Sequence, residues 1–206
     1  MRLRAGPWLL AAVGAVGLYA APVAATPFPL NVEFDDGIFG TFGNVEVTEQ
    51  AGGDLLFQIT LDTTELGAGA DLHELYFNLA DTITGVSITS SDVVNTAYEL
   101  EADPSVAGGA GSSFAYGVNF GNGAGVSGNG VLQTASFLLA ADSDLTVDGL
   151  LIASSTSDGI EVFLAAHVQG TDLTQQGSET VGNSVPEPTT FLLGALGLAV
   201  AALRRR

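Results

Sequence analysis

Between Arg4 and Arg204 the chain contains no lysine and no arginine. Whatever folds in that interval does so without an Arg or Lys salt bridge, and any carboxylate it buries must be hydrogen-bonded, protonated or bound to a cation. The five basic residues, Arg2, Arg4, Arg204, Arg205 and Arg206, sit at the two ends of a 206-residue chain that carries 23 Asp and Glu and a formal charge of −18. All of those acids except Glu187 lie in 26–184, where only His73 and His167 can become cationic. Such a surface cannot neutralise phosphates, which excludes nucleic-acid binding by counterion release. It also has no electrostatic reason to dock on an anionic lipid surface. The absence of cysteine removes disulfides, thiol nucleophiles and thiolate metal ligands.

The hydrophobic share of 47% is high for a soluble domain because the ends contribute disproportionately. At the N-terminus, Arg2 and Arg4 precede an apolar stretch of about a dozen residues and then small residues at Val23 and Ala25, the three parts of a secretory signal peptide. Pro22 breaks the helix just before the expected cleavage between Ala25 and Thr26. At the C-terminus, Pro186, Glu187 and Pro188 are followed by a wholly apolar stretch, 191–203, and by Arg204, Arg205 and Arg206. The thirteen apolar residues make a helix of about 20 Å, short of a hydrocarbon core of roughly 30 Å. Spanning would recruit the preceding threonines, giving a helix over 189–203, with the arginines snorkelling to the cytoplasmic side. A short, charge-stopped helix suits a temporary membrane anchor.

The ordered triplet, apolar helix and arginine tail of 185–206 resemble the PEP-CTERM sorting signal. That resemblance implies an exported protein of a Gram-negative bacterium, often one that makes exopolysaccharide. Its partners would be the secretory translocon and an exosortase-like membrane enzyme, which processes the chain near Pro186, Glu187 and Pro188. The destination would be the envelope surface or the extracellular matrix. The resemblance covers about a tenth of the chain and leaves the role of the exported part open.

The exported part, 26–184, is long enough for one domain with a hydrophobic core. Its dominant hydrophobic period is two. Leu55, Phe57, Ile59 and Leu61 fall on one face of a strand opposite Gln58 and Thr60, and Leu75, Phe77 and Leu79 share a face of a second strand over 72–80. Segments 114–120 and 160–168 alternate in the same way, and further strands are predicted at 30–34, 45–49, 82–89 and 131–139. Turn signals such as Asp35-Asp36-Gly37, Gly52-Gly53 and Asp158-Gly159 separate them. The expected fold is all-β, an antiparallel β-sandwich with the jelly roll as one variant. A single helical turn or two is expected over 143–151, with Ser143 as the cap. The strands around 75–79 and 163–170 also resemble, diffusely, exported domains of other PEP-CTERM proteins, which supports a sandwich and implies no activity.

Candidate chemistry is sparse. Gly123, Gly125 and Gly128 satisfy G-x-G-x-x-G, but a loop between antiparallel strands is the wrong context for a dinucleotide. His73 and Glu74 begin H-E-x-x-H, but the fifth position is Phe77. Strict alternation would also point His73 and Glu74 to opposite faces of a strand. Each histidine reads as an ordinary sheet residue, a two-histidine site formed with His167 being the alternative. No G-x-S-x-G occurs, and Trp8, the sole tryptophan, belongs to the signal segment; an enzyme is not expected. Calcium is the most reasonable ligand, with Glu33, Asp35 and Asp36, or Asp142, Asp144 and Asp148, as oxygen donors. Neither set matches an EF-hand loop, and solvated turn acids are the simpler reading. The sequence therefore points to a non-enzymatic surface or matrix protein with a structural or adhesive role in a biofilm or exopolysaccharide setting. A carbohydrate-binding module, calcium-dependent or not, is the alternative.

Overall fold

The computed structural model describes residues 24–34, 37–80, 83–90, 92, 95–99, 114–120, 130–155, 159–173 and 177–184. Most of the expected signal peptide, all of the 185–206 tail, Asp35, Asp36 and the glycines at 123, 125 and 128 lie outside them. The elements are β1 (Thr26–Glu33), β2 (Phe39–Glu49), β3 (Leu55–Leu61), α1 (Thr63–Leu66), β4 (Asp71–Phe77), β5 (Ser87–Thr89), β6 (Asn95–Glu99), β7 (Tyr116–Asn119), β8 (Thr134–Ala140), β9 (Ser154–Ser155), β10 (Glu161–Gln169) and β11 (Ser178–Ser184). The helical signal at 143–151 becomes a 3-10 turn, Val147–Leu150, capped by Thr146 and not by Ser143. Gly149 and the β-branched neighbours leave too little propensity for an α-helix.

All pairings are antiparallel, in the order β5-β8-β3-β2-β1-β11-β10-β4-β7-β6, with β9 added to β10. The end strands β5 and β6 contact one another. The domain is thus a curled half-barrel made from one continuous sheet, where two separate sheets were expected. The reason lies in β1. Its first part pairs with β2 from Thr26 to Leu30; past an irregularity, Val32 pairs with Phe39 of β2 on one edge and with Gly182 of β11 on the other, and Glu33 pairs with β11. A strand that bends at such a point serves two layers at once. Pro27 and Pro29 fit the first part, where β1 has a ladder partner on one side only. Beyond the ladder, Asn183 donates to the Pro29 carbonyl at 3.2 Å and Asn31 accepts from the Ser184 amide at 2.8 Å, fastening β1 to β11 with side chains.

Curling brings the two halves face to face. Phe57 of β3 stacks on Phe137 of the neighbouring β8 at 4.5 Å and on Phe77 of β4 across the interior at 5.4 Å. Leu30, Val45, Leu55, Leu75, Val118, Leu139 and Leu164 fill the same core with no exposed surface. On the outer face of the β1-β11-β10-β4 region a second, smaller cluster gathers Val32, Phe34, Tyr76, Phe114, Val162 and Ala165. Gly182 makes room for it, since a Cβ there would overlap the Phe34 ring.

Gly182→Ala should therefore lower stability by about 1–3 kcal/mol through overpacking. Gly52→Ala, whose new methyl meets nothing within 4 Å, should stay within about 0.5 kcal/mol of the parent. Urea denaturation of the two variants checks this, and equal losses would contradict the proposed role of the Phe34 seat.

Candidate functional site

The outer face of β4 carries a polar cluster beside the Tyr76 patch, and a register shift builds it. Glu74 pairs with His167 and Leu72 pairs with Val168, so His73 is an extra residue on β4 opposite a single step of β10. A bulge of this kind breaks strict alternation. Leu72 and Leu75, three apart, both reach the inner core, while His73 and Glu74 both meet His167. The expectation that His73 and Glu74 point to opposite faces is corrected by this one inserted residue.

The two histidine rings sit edge to face with centroids 5.7 Å apart, and only 5% of His73 and 7% of His167 is exposed. These are the only residues of 26–184 able to carry positive charge, and the fold places them together. Each has a carboxylate. His73 Nε2 lies 3.2 Å from Asp71 Oδ2, while Asp71 Oδ1 accepts from the Leu132 amide at 2.6 Å. His167 Nδ1 lies 3.6 Å from Glu74 Oε2, and its Nε2 is 2.9 Å from the Ser178 hydroxyl. Glu74 also accepts from the Tyr76 hydroxyl and, at 3.2 Å, from the Asn119 amide.

Burial raises the cost of ionising Glu74, but the His167 ring, the Tyr76 hydroxyl and the nearby imidazoles outweigh it and hold the carboxyl below its ordinary value. Burial, and next the Glu74 carboxylate it donates to, push the Tyr76 phenol well above its ordinary value. Tyr76 therefore remains a donor, and Glu74 an acceptor, across the neutral range.

Glu74, His167 and Ser178 follow one another as acid, imidazole and hydroxyl. With His167 buried and the carboxylate already holding two other donors, this order works as a hydrogen-bond relay that satisfies polar groups inside the sheet. The histidines come together as the two-histidine alternative required, and their side-chain partners include Asp71, Glu74 and Ser178. Among the described residues no group of three or more His, Asp or Glu is arranged to hold a metal ion.

Of the acids singled out as calcium donors, the structure describes Glu33, Asp142, Asp144 and Asp148. Glu33 is fully buried on β1, while Asp35 and Asp36 lie outside the described residues. Asp142 accepts from Thr84 Oγ1 at 3.2 Å and lies against Gly85. Asp144 lies against Gly53, and Asp148 belongs to the 3-10 turn. Asp144 does share an open depression of about 480 Å³ with Glu49, which accepts from the Val147 amide at 2.9 Å.

Asp71, Tyr76, Asn119 and Ser178 were not singled out from sequence. The available signal was Asp71, His73 and Glu74 inside a strand whose other residues are apolar; Ser178 carried none, because β11 has one strongly apolar residue, Val181.

Residues 184–206 match the family model of the PEP-CTERM protein-sorting motif. Neither the curated proteins nor the solved structures contain a match to the chain. The motif implies export, membrane anchoring before processing by an exosortase-like membrane enzyme, and release to the outside.

Glu74→Gln should destabilise the fold by about 1–3 kcal/mol at pH 7, the usual range for a hydrogen-bonded charged group. Because the folded pKa of Glu74 is lowered, its contribution is complete above the unfolded value near 4.3 and disappears as pH falls through the folded value. Melting temperatures of parent and variant should converge as pH falls through and below the lowered folded value of Glu74. A gap that widens on acidification would refute the assignment.

Proposed function

We propose that the mature protein is a non-enzymatic, polyanionic β-domain with a structural or adhesive role in the extracellular matrix, in an exopolysaccharide or biofilm setting. The observation that carries this reading is the combination of a PEP-CTERM sorting motif at 184–206 with a domain free of lysine and arginine. The five arginines are addressing features that leave with the signal peptide and the sorting tail. What is delivered carries 22 carboxylates, and its polar cluster is closed by its own hydrogen bonds. Such a surface repels other polyanions at close range and associates with them through shared divalent cations.

A calcium-dependent carbohydrate-binding module is the second reading. It is favoured by one feature, the open depression shared by Glu49 and Asp144 with the Gly52-Gly53 turn. Calcium there would be held by carboxylate and backbone oxygens.

Two measurements test these proposals. The intact mass of the exported protein should correspond to a chain that begins at Thr26 and ends near Pro186, Glu187 and Pro188; retention of Arg206 would contradict processing. Millimolar calcium should raise the melting temperature under either reading, and Asp144→Asn should abolish most of that rise only if the second reading holds.

A further inference from the structure

The last strand runs into the sorting motif without a linker. β11 ends at Ser184, and the matched motif begins at residue 184. Ser184 is fixed in the sheet by its pairing with Val162 of β10 and by its amide donating to Asn31 at 2.8 Å. Only residues 185–190 separate it from the apolar stretch beginning at Phe191. Fully extended, six residues span about 20 Å. While the tail is in the membrane, this end of the sheet stays within that distance of the lipid surface.

The same end displays an apolar run. Val162 pairs with Ser184 on one side and with Ser154 of β9 on the other, so Ser154 lies two strand spacings, about 10 Å, from Ser184. The three residues before Ser154 are all exposed, Leu151 by 43% and Ile152 by 38%, with Ala153 beside them. Their backbone is held in place: the Leu151 amide donates to the Asp148 carbonyl at 3.2 Å, and Asn78 donates to the Ile152 carbonyl at 3.2 Å and to Ser154 Oγ at 2.8 Å. Apolar side chains are thus presented outward on a fixed segment beside the point where the tether leaves.

We infer that Leu151, Ile152 and Ala153 form a lipid-facing contact that seats the domain on the outer surface of the anchoring membrane until the tail is cut. The contact rests on the reading of the tail as an anchor. The tether supplies the high local concentration that so small a patch needs. Cutting the tether removes the local concentration, so the domain leaves the membrane at the step that completes its sorting. Seating also fixes 185–190 at the surface, where a membrane enzyme meets its substrate.

The test uses the chain from Thr26 onward, as signal cleavage leaves it, which lacks Trp8, the only native tryptophan, inserted in phosphatidylcholine vesicles with brominated acyl chains. One reporter is Leu151→Trp, with Ile152→Trp as a second should the first fold poorly. The control is Val131→Trp, an exposed position before Leu132, whose amide bonds Asp71 at the far end of β4. The reporter at 151 or 152 should lose most of its emission relative to unbrominated vesicles, and the one at 131 should keep it. If the protein floats with the vesicles and the reporter at 151 or 152 is unquenched, or the one at 131 is quenched equally, the contact is wrong while the anchor stands. If the protein does not float with the vesicles, the anchor reading fails and the contact fails with it.

Discussion

A domain without lysine or arginine has to satisfy its carboxylates with neutral donors and with two imidazoles, and the rest of the structure follows from that constraint. Asp62 accepts from the Thr64 amide at the start of α1, Asp92 from the Ser136 amide, Glu49 from the Val147 amide and Asp71 from the Leu132 amide. In each case a side chain from one element fixes the backbone of another segment, or caps its own turn. Hydrogen bonds to a charged acceptor contribute about 1.5–3 kcal/mol each when desolvated, so carboxylates used in this way hold loops to the sheet without a counter-charge. The histidine cluster applies the same solution with imidazoles, where Asp71, His73 and His167 are buried.

The bends in the sheet decide where those groups can meet. Because β1 keeps β2 on one edge past the irregularity between Leu30 and Val32, and takes up β11 on its other edge at Val32, both halves of the core belong to one hydrogen-bonded sheet. Because β4 inserts His73, the outer face gains a second imidazole where alternation would have sent it inward. The register of β10 also shifts, between Val162 and Ala165, which brings both residues to the outer cluster with Tyr76. Each irregularity sits next to a polar or aromatic group that uses it.

Much of the fold was legible from residue pattern alone. Leu55–Leu61 forms the strand its alternation predicts, with Leu55, Phe57, Ile59 and Leu61 all buried. The strands predicted at 131–139 and 160–168 shift by one to three residues to Thr134–Ala140 and Glu161–Gln169. Three strands, β6, β9 and β11, were not predicted, and of these β11 is the one that links β1 to β10. Its buried positions include Glu179, Thr180, Gly182 and Asn183, residues whose burial depends on partners that a one-dimensional pattern does not contain. The site was hidden for the same reason, since the one-residue bulge at His73 reverses which side chains share a face. The two ends, by contrast, are linear signals read by other proteins, and the C-terminal one was recognisable without a fold.

The central claim is that the delivered domain is held by burial and by hydrogen bonds to neutral donors, with its long-range charge interactions almost entirely repulsive. The melting temperature of the exported protein across a series of sodium chloride concentrations tests this directly. Screening among 22 carboxylates with no Lys or Arg partner should raise the melting temperature steadily up to about 0.5 M salt, where the Debye length falls below about 5 Å. A melting temperature that falls with added salt would mean that attractive surface ion pairs stabilise the fold, and would contradict the account.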